Sequence, residues 1–118
     1  MSKHKILGLF RNAKETREYP AGSNIFNQGD PGAEMFGVVS GEVEIRSDHG
    51  IVDRLHADDV FGEMAIVDES PRSGTAVATQ DTVLAVIDRH RFLFLVQETP
   101  TFALQVMSVI ADRLRSRM

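Results

Sequence analysis

Turn signals recur through the middle of the chain, and they restrict the possible folds more than any other feature. The turns read PAGS, QGDPG, SGE, SDHG, HADD and DESPRSG, and short apolar runs such as MFGVV and TVLAVI lie between them. Val43 and Ile45 alternate with charged neighbours, which is the period of a half-buried strand. Short strands at regular spacing, broken by Gly and Pro turns, favour a β-roll or jelly-roll barrel over alternating βα units.

Both ends of the chain change to helical spacing. Apolar residues at i, i+3 and i+4 predict a short helix over residues 4–13. After Asp88 the apolar residues return at helical intervals, and Pro100, with Thr99 before it as N-cap, marks the start of a second C-terminal helix. The predicted fold is therefore mainly β with flanking helices. We expect one domain over residues 1–118, with the β-roll at about 15–88 and two helices at about 89–118.

Composition excludes several classes of protein. The chain has 118 residues, of which 42% are hydrophobic, so it is long enough for one domain with a core. The formal net charge of −4 predicts no affinity for nucleic acid or anionic lipid. The chain has no cysteine, so disulfides and thiolate chemistry are excluded. With no signal peptide or membrane-spanning run in the sequence, we expect a cytoplasmic protein.

The segment FGEMAIVDESPRSGTA, from Phe61 to Ala76, holds an acid and a base in one short loop. Arg72 offers five donors in a planar fork, which suits phosphate. Small residues follow it, so their backbone N–H groups can approach a ligand closely. Glu63 is an acceptor only and suits a sugar hydroxyl, as acidic residues do in dinucleotide folds. A ligand with one phosphate and a neighbouring sugar hydroxyl satisfies both side chains.

This segment resembles the phosphate-binding cassette of the cyclic-nucleotide-binding domain family. The family pattern is roughly Phe-Gly-Glu, a small apolar pair, a variable loop, then Arg-Ser/Ala/Thr-Ala-Thr/Ser. Upstream, AGSNIFNQGDPG and MFGVVSGEVEI match further family segments in the right order, so the resemblance spans about residues 15–118. It implies the double-stranded β-helix form of the β-roll.

The resemblance also implies roles for individual residues. Arg72 is implied to pair with the cyclic phosphate, and Glu63 to accept from the ribose 2′-hydroxyl. Arg113 or Leu114 of the final helix is implied to cover the base. The full set of predicted ligand-binding residues is Gly62, Glu63, Met64, Ala65, Arg72, Ser73 and Thr75.

The sequence departs from the family pattern at two places. Gly74 stands where Ala is usual, and Asp58-Asp59 stands where Gly-Asp is usual. For an anionic ligand to bind beside Arg72, we also expect Asp68 and Glu69 to point outward.

Some motifs have a simpler structural interpretation. QGDPG predicts a tight turn, and we interpret Gly29, Asp30 and Gly32 in that way. The apolar stripe of the last helix is most simply core. The four histidines show no metal-ligand spacing, so we expect no metal, no catalytic residue and no enzyme activity. The four are His4, His49, His56 and His90.

Three hypotheses about function follow. The first is a stand-alone cyclic-nucleotide sensor, binding cAMP or cGMP with cAMP favoured, that signals by moving its C-terminal helices. Its partner is a protein effector or a second copy bound through the C-terminal helix, and it needs no cofactor. The second is an interaction module that kept the fold and lost the ligand. The third, a small β-roll enzyme, has the least support.

Overall fold

The computed structural model describes residues 5–48 and 50–116, so His4, His49 and Arg117 lie outside the described part of the chain. Eight strands come first in the chain order, interrupted by one short helix, and two longer helices follow. The strands are β1 (Thr16–Tyr19), β2 (Asn24–Phe26), β3 (Glu34–Ser40), β4 (Val43–Ser47), β5 (Gly50–Leu55), β6 (Val60–Phe61), β7 (Thr75–Ala78) and β8 (Thr82–Asp88). The helices are α1 (Met64–Val67), α2 (Arg89–Glu98) and α3 (Thr101–Ser116).

The strands form two four-stranded sheets in which every pairing is antiparallel. One sheet has the order β1-β8-β3-β6 and the other the order β2-β7-β4-β5. Neighbours in each sheet are mostly distant in sequence, as expected when a chain winds between two facing sheets. The predicted mainly-β fold with C-terminal helices is confirmed.

Strands β3 and β8 are buried on both faces, which explains their continuous apolar sequences. Phe36 and Leu84 belong to a core between the two sheets. Met35 and Ile87, each adjacent to an inward-facing position, point the other way into a second core with α2 and α3. The first sheet therefore lies between the inside of the roll and the C-terminal helices.

Specific hydrogen bonds position the helices against the β-roll. The Asp88 carboxylate accepts from the Arg91 backbone N–H at 2.8 Å and caps α2. In α3, the buried Gln105 donates through Nε2 to the Asp58 carbonyl at 2.7 Å. No single described helix is both long and hydrophobic enough to cross a membrane. Helices α2 and α3 have that length and hydropathy only when they are taken together, and the pair is bent by 119°.

The N-terminal helix predicted for residues 4–13 is wrong for the residues that the structure describes. Residues 7–12 form successive turns, closed by bonds such as Arg11 N–H to the Gly8 carbonyl at 3.1 Å. Gly8 has φ +75°, which breaks a right-handed helix at that point. The apolar spacing instead brings Phe10 onto Gly37 of β3, where a Cβ would lie 2.4 Å from the Phe10 ring.

The turn at Asp58-Asp59 closes despite lacking the usual glycine. Asp58 adopts φ +73°, a conformation that Asp tolerates better than most residues. The Asp58 N–H donates to the Val38 carbonyl at 2.8 Å, and the Asp59 carboxylate accepts from the His56 N–H at 2.9 Å. These bonds hold the turn in the position where α3 attaches through Gln105.

Candidate functional site

The loop between β6 and β7, which contains α1, borders a cavity of about 20 Å³ together with Phe26, Ile45 and Arg113. That volume accommodates about one water molecule. Six of the seven residues predicted to bind ligand border it, and the seventh, Thr75, does not. The Thr75 hydroxyl instead accepts from the Gln28 backbone N–H at 2.9 Å. The six are Gly62, Glu63, Met64, Ala65, Arg72 and Ser73.

Arg72 is a buried cation at one side of the cavity, with only 7% of its surface exposed. Its Nη1 donates to the Gly62 carbonyl at 3.2 Å and its Nη2 to the Glu34 carbonyl at 2.8 Å. Its guanidinium carbon lies 4.2 Å from the centre of the Phe26 ring, within cation–π range. The Nε atom is buried and makes no hydrogen bond. Arg72 is therefore held in place with a donor still unused.

Burial lowers the pKa of Arg72, and the carboxylates of Glu34, Glu63 and Asp30 oppose that effect. An arginine stays charged at neutral pH through such a change, because its ordinary pKa lies far above neutrality. In the described part of the chain, no carboxylate lies within 4.0 Å of its nitrogens. The site thus contains a desolvated positive charge without an ion-pair partner, which is an electrostatically favourable place for an anion.

The QGDPG segment positions Arg72, a role that the sequence interpretation missed. The Gly29 N–H donates to the Arg72 carbonyl at 2.8 Å, and the Arg72 N–H donates to the Asp30 carbonyl at 2.9 Å. A Cβ at Gly32 would lie 2.5 Å from the Arg72 Nε, and one at Gly62 would lie 2.8 Å from its Nη1. The turn was recognised correctly, but pairing across some forty residues has no local sequence signal.

Glu63 also borders the cavity and is completely buried. Its Oε2 accepts from Nη1 of Arg113, on α3, at 3.0 Å. Its Oε1 is buried without a hydrogen-bond partner. Burial raises the pKa of Glu63, while the Arg113 charge, then the backbone amides of Glu63 and Met64, and finally Arg72 act to lower it. One oxygen of this carboxylate is therefore satisfied by α3, and the other remains available as an acceptor.

A second cavity of about 330 Å³ adjoins the first on the α3 side. Met64, Ser73 and Arg113 border both cavities, and Leu114 borders the second. The resemblance implied Arg113 or Leu114 as a cover for the base; the structure places the Arg113 guanidinium on Glu63 and Leu114 on the larger cavity. The inner cavity would have to widen to admit anything larger than one water molecule, whereas the outer cavity is already larger than that.

The remaining residues of the loop agree with the expected arrangement. Asp68 and Glu69 are exposed. Gly74 is buried beside β4, and a Cβ there would lie 2.9 Å from the Arg46 carbonyl oxygen. The glycine at this position thus allows close contact between β4 and the start of β7, which accounts for the departure from the family pattern.

Comparisons with known proteins show the family of the chain. The cyclic nucleotide-binding domain family matches residues 16–99. The cyclic AMP receptor protein of Thermus thermophilus is 39% identical over 106 residues, covering 86% of this chain and 49% of the relative. This chain belongs to the cyclic nucleotide-binding domain family. Membership supports a regulatory role in cyclic-nucleotide sensing and a cyclic nucleotide as the ligand.

Solved structures show the same fold. The crystal structure of the Thermus thermophilus catabolite activator protein aligns with a TM-score of 0.75 at 36% identity, over 87% of this chain and 51% of that one. A structure described under a cyclic-GMP-dependent signalling pathway in bacterial phytopathogenesis aligns with a TM-score of 0.77 at 26% identity, over 98% and 95%. The chain spans about half the length of the Thermus relative, and nearly the whole of the second structure.

Proposed function

We propose that residues 1–118 form a single cyclic-nucleotide-binding domain in which Arg72 and Glu63 bind two different parts of one ligand. The observation that carries this proposal is a pair of buried opposite charges at one cavity, each with an unused hydrogen-bonding atom. The unused atoms are Nε of Arg72 and Oε1 of Glu63. A buried polar atom without a partner is unfavourable, so a ligand that supplies an acceptor to one and a donor to the other is favoured.

In this proposal the cyclic phosphate binds at Arg72 and the ribose 2′-hydroxyl donates to Glu63. The backbone at Gly62, Met64, Ala65 and Ser73 lines the phosphate and ribose, since these residues border the inner cavity. Thr75 has a supporting role, because its hydroxyl holds the loop at Gln28 next to the turn that positions Arg72. The base occupies the larger cavity beside α3.

We favour cAMP over cGMP as the ligand. The support is the Thermus relative, which is named as a cyclic AMP receptor and is 39% identical. The structure described under a cyclic-GMP-dependent pathway has lower identity, at 26%. Ser73 follows the arginine and is exposed, so its hydroxyl is accessible to either base.

Signalling through the C-terminal helices is part of the proposal. Helix α3 contacts the β-roll at Gln105 and the candidate site at Arg113. A ligand that reshapes the site therefore acts directly on the C-terminal half of α3. A cytoplasmic location and a protein effector remain predictions of the sequence.

Isothermal titration calorimetry of the full chain with cAMP and cGMP tests this function. A ligand of about twenty heavy atoms at about −0.3 kcal/mol per atom predicts a Kd of roughly 10 μM. 5′-AMP is the matched control, because it has the same base and sugar without the cyclic phosphate, and we expect it to bind more weakly. No heat and no competition from either cyclic nucleotide at millimolar concentration would overturn the proposal.

An interaction module that no longer binds ligand is the second candidate. Three apolar side chains of α3 are about half exposed: Leu104 at 44%, Met107 at 55% and Leu114 at 59%. Light scattering of the chain with and without cyclic nucleotide separates the two candidates. A dimer that shows no response to ligand favours the interaction module, whereas ligand binding by calorimetry favours the sensor.

A further inference from the structure

A cavity of about 390 Å³ lies between the N-terminal turns, β8 and the start of α2. None of the residues that border it borders the cavities at Glu63 and Arg72. Cavities of about 300–1,000 Å³ are typical of small-molecule sites. This cavity therefore has the size of a ligand site, and it is separate from the proposed nucleotide site.

The floor of the cavity is apolar. Four residues of the core between the first sheet and the helices border it: Phe10, Ala85, Ile87 and Leu95. Leu9 and Ala13, from the N-terminal turns, pack against the same core and border the cavity at its side. Removing apolar surface from water is favourable, so this floor favours a ligand with an apolar body.

The walls of the cavity are held by hydrogen bonds that do not involve a ligand. The Val86 N–H of β8 donates to the Glu15 carbonyl at 3.0 Å, which ties the end of the N-terminal turns to the sheet. The Asp88 carboxylate accepts from the Arg91 N–H at 2.8 Å and fixes the start of α2. A ligand can therefore enter without the widening that the inner cavity needs.

The rim of the cavity includes two cations, Lys14 and Arg91. Among the residues that the structure describes, none places a carboxylate within 4.0 Å of either cation. The two acids of the rim each have a partner, because Asp88 caps α2 and Glu15 lies 3.9 Å from Arg17. The unpaired charge at the rim is therefore positive and favours an anionic group.

We propose that this cavity is a second binding site, for a small organic carboxylate with an apolar body such as a medium-chain fatty acid. The carboxylate bonds to Arg91 and Lys14 at the rim, and the apolar body lies on the floor against Phe10, Ile87 and Leu95. Arginine binds a carboxylate through two parallel N–H donors, so Arg91 has the larger role. The site does not depend on the proposed nucleotide function. Because α2 begins at the rim, the bound carboxylate contacts the first of the two C-terminal helices.

Titration of the full chain with octanoate, followed by NMR of the backbone amides, tests the proposal. A probe of about ten heavy atoms predicts a Kd of about 1 mM. We expect the shifts to concentrate at Ala13, Ala85 and Leu95. 1-Octanol and octylammonium are the matched controls, because they carry the same chain with no charge and with the opposite charge. Each should bind about tenfold more weakly than octanoate, since it cannot accept from the two cations as a carboxylate does.

Three variants separate the rim from the floor. Arg91→Ala should weaken octanoate about tenfold and change 1-octanol little, because a charge-assisted hydrogen bond is lost. Ala13→Leu, whose side chain occupies part of the cavity, should weaken both probes. Arg89→Ala is the control, because Arg89 is exposed in the same turn of α2 and does not border the cavity, and it should bind normally. Thermal unfolding checks that each variant is folded.

Four outcomes would overturn the site. They are no shifts at about 10 mM octanoate, shifts that lie outside the cavity, equal affinity for octanoate and 1-octanol, and an unchanged affinity in Arg91→Ala. Competition between octanoate and a cyclic nucleotide for one site would also overturn it. Binding of octanoate by a chain that binds no cyclic nucleotide would support the second site and contradict the proposed function, so the two proposals fail separately.

Discussion

The two charged ends of the candidate site are held in different ways. Arg72 is fixed by the β-roll, through carbonyls of Gly62 and Glu34, the ring of Phe26 and the backbone of the QGDPG turn. Glu63 is fixed by a contact outside the roll, with Arg113 of α3. Disturbing the helix should therefore change the sugar end of the site and leave the anion end in place.

Replacing Arg72 with Ala is expected to have the largest effect on binding. The variant loses the buried cation proposed to bind the phosphate, and a charge-assisted hydrogen bond contributes about 1.5–3 kcal/mol. We therefore expect the affinity to fall about tenfold to hundredfold, measured by calorimetry. The loss should be the same for cyclic nucleotides with and without the 2′-hydroxyl. Arg89→Ala, at an exposed position on α2, is the control and should bind normally. Normal binding by Arg72→Ala would contradict its proposed role.

Replacing Gly74 with Ala tests the β-roll that supports the Arg72 end. The new Cβ would lie 2.9 Å from the Arg46 carbonyl oxygen and 3.1 Å from Ile45 Cγ2, so a backbone or core atom must shift. We expect a loss of about 1–3 kcal/mol in the free energy of unfolding, measured by urea denaturation. Ser73→Ala, one residue earlier and exposed, should change stability little. Equal stability of the two variants would show that β4 and β7 tolerate the extra methyl group.

Replacing Glu63 with Gln separates binding from stability. Affinity for a cyclic nucleotide should fall about tenfold, because a charged acceptor becomes a neutral one. Burial raises the pKa of Glu63, so the folded state binds its proton more readily than the unfolded chain does. The contribution of Glu63 to stability is then greatest at acidic pH and declines as pH rises through the raised pKa.

Glu63→Gln should lack this decline. The free energy of unfolding of the variant, relative to the unaltered chain, should therefore increase from acidic to neutral pH. Urea denaturation at a series of pH values measures the difference. A relative stability that falls over the same range would show that the ion pair with Arg113 outweighs the burial of the carboxylate.

The sequence predicted the parts of the site that are contiguous. Glu63 and Arg72 lie in one segment whose residue types already indicate an acid and a base for one ligand, and the structure brings both to one cavity. The strands were predictable because β3 and β8 are buried on both faces and because the turns on either side of β3 contain Gly or Pro. These signals are local in the chain.

The missed features depend on tertiary contacts. The contact between Arg113 and Glu63 was not predicted, because it depends on the docking of α3, which no spacing encodes. Gly32 was interpreted as a turn residue only, since its proximity to Arg72 is visible only in the folded chain. The N-terminal helix was wrong for a similar reason: the apolar spacing of Phe10 serves packing against Gly37, while Gly8 at positive φ prevents the helix.

A crystal structure of the full chain with its cyclic nucleotide tests most directly whether Arg72 and Glu63 bind different parts of the ligand. We predict a phosphate oxygen within about 2.7–3.2 Å of an Arg72 nitrogen, and the 2′-hydroxyl within about 2.5–3.0 Å of Glu63 Oε1. Arg113 should remain on Oε2 in that complex. A phosphate bound away from Arg72, or a sugar hydroxyl without contact to Glu63, would contradict the account.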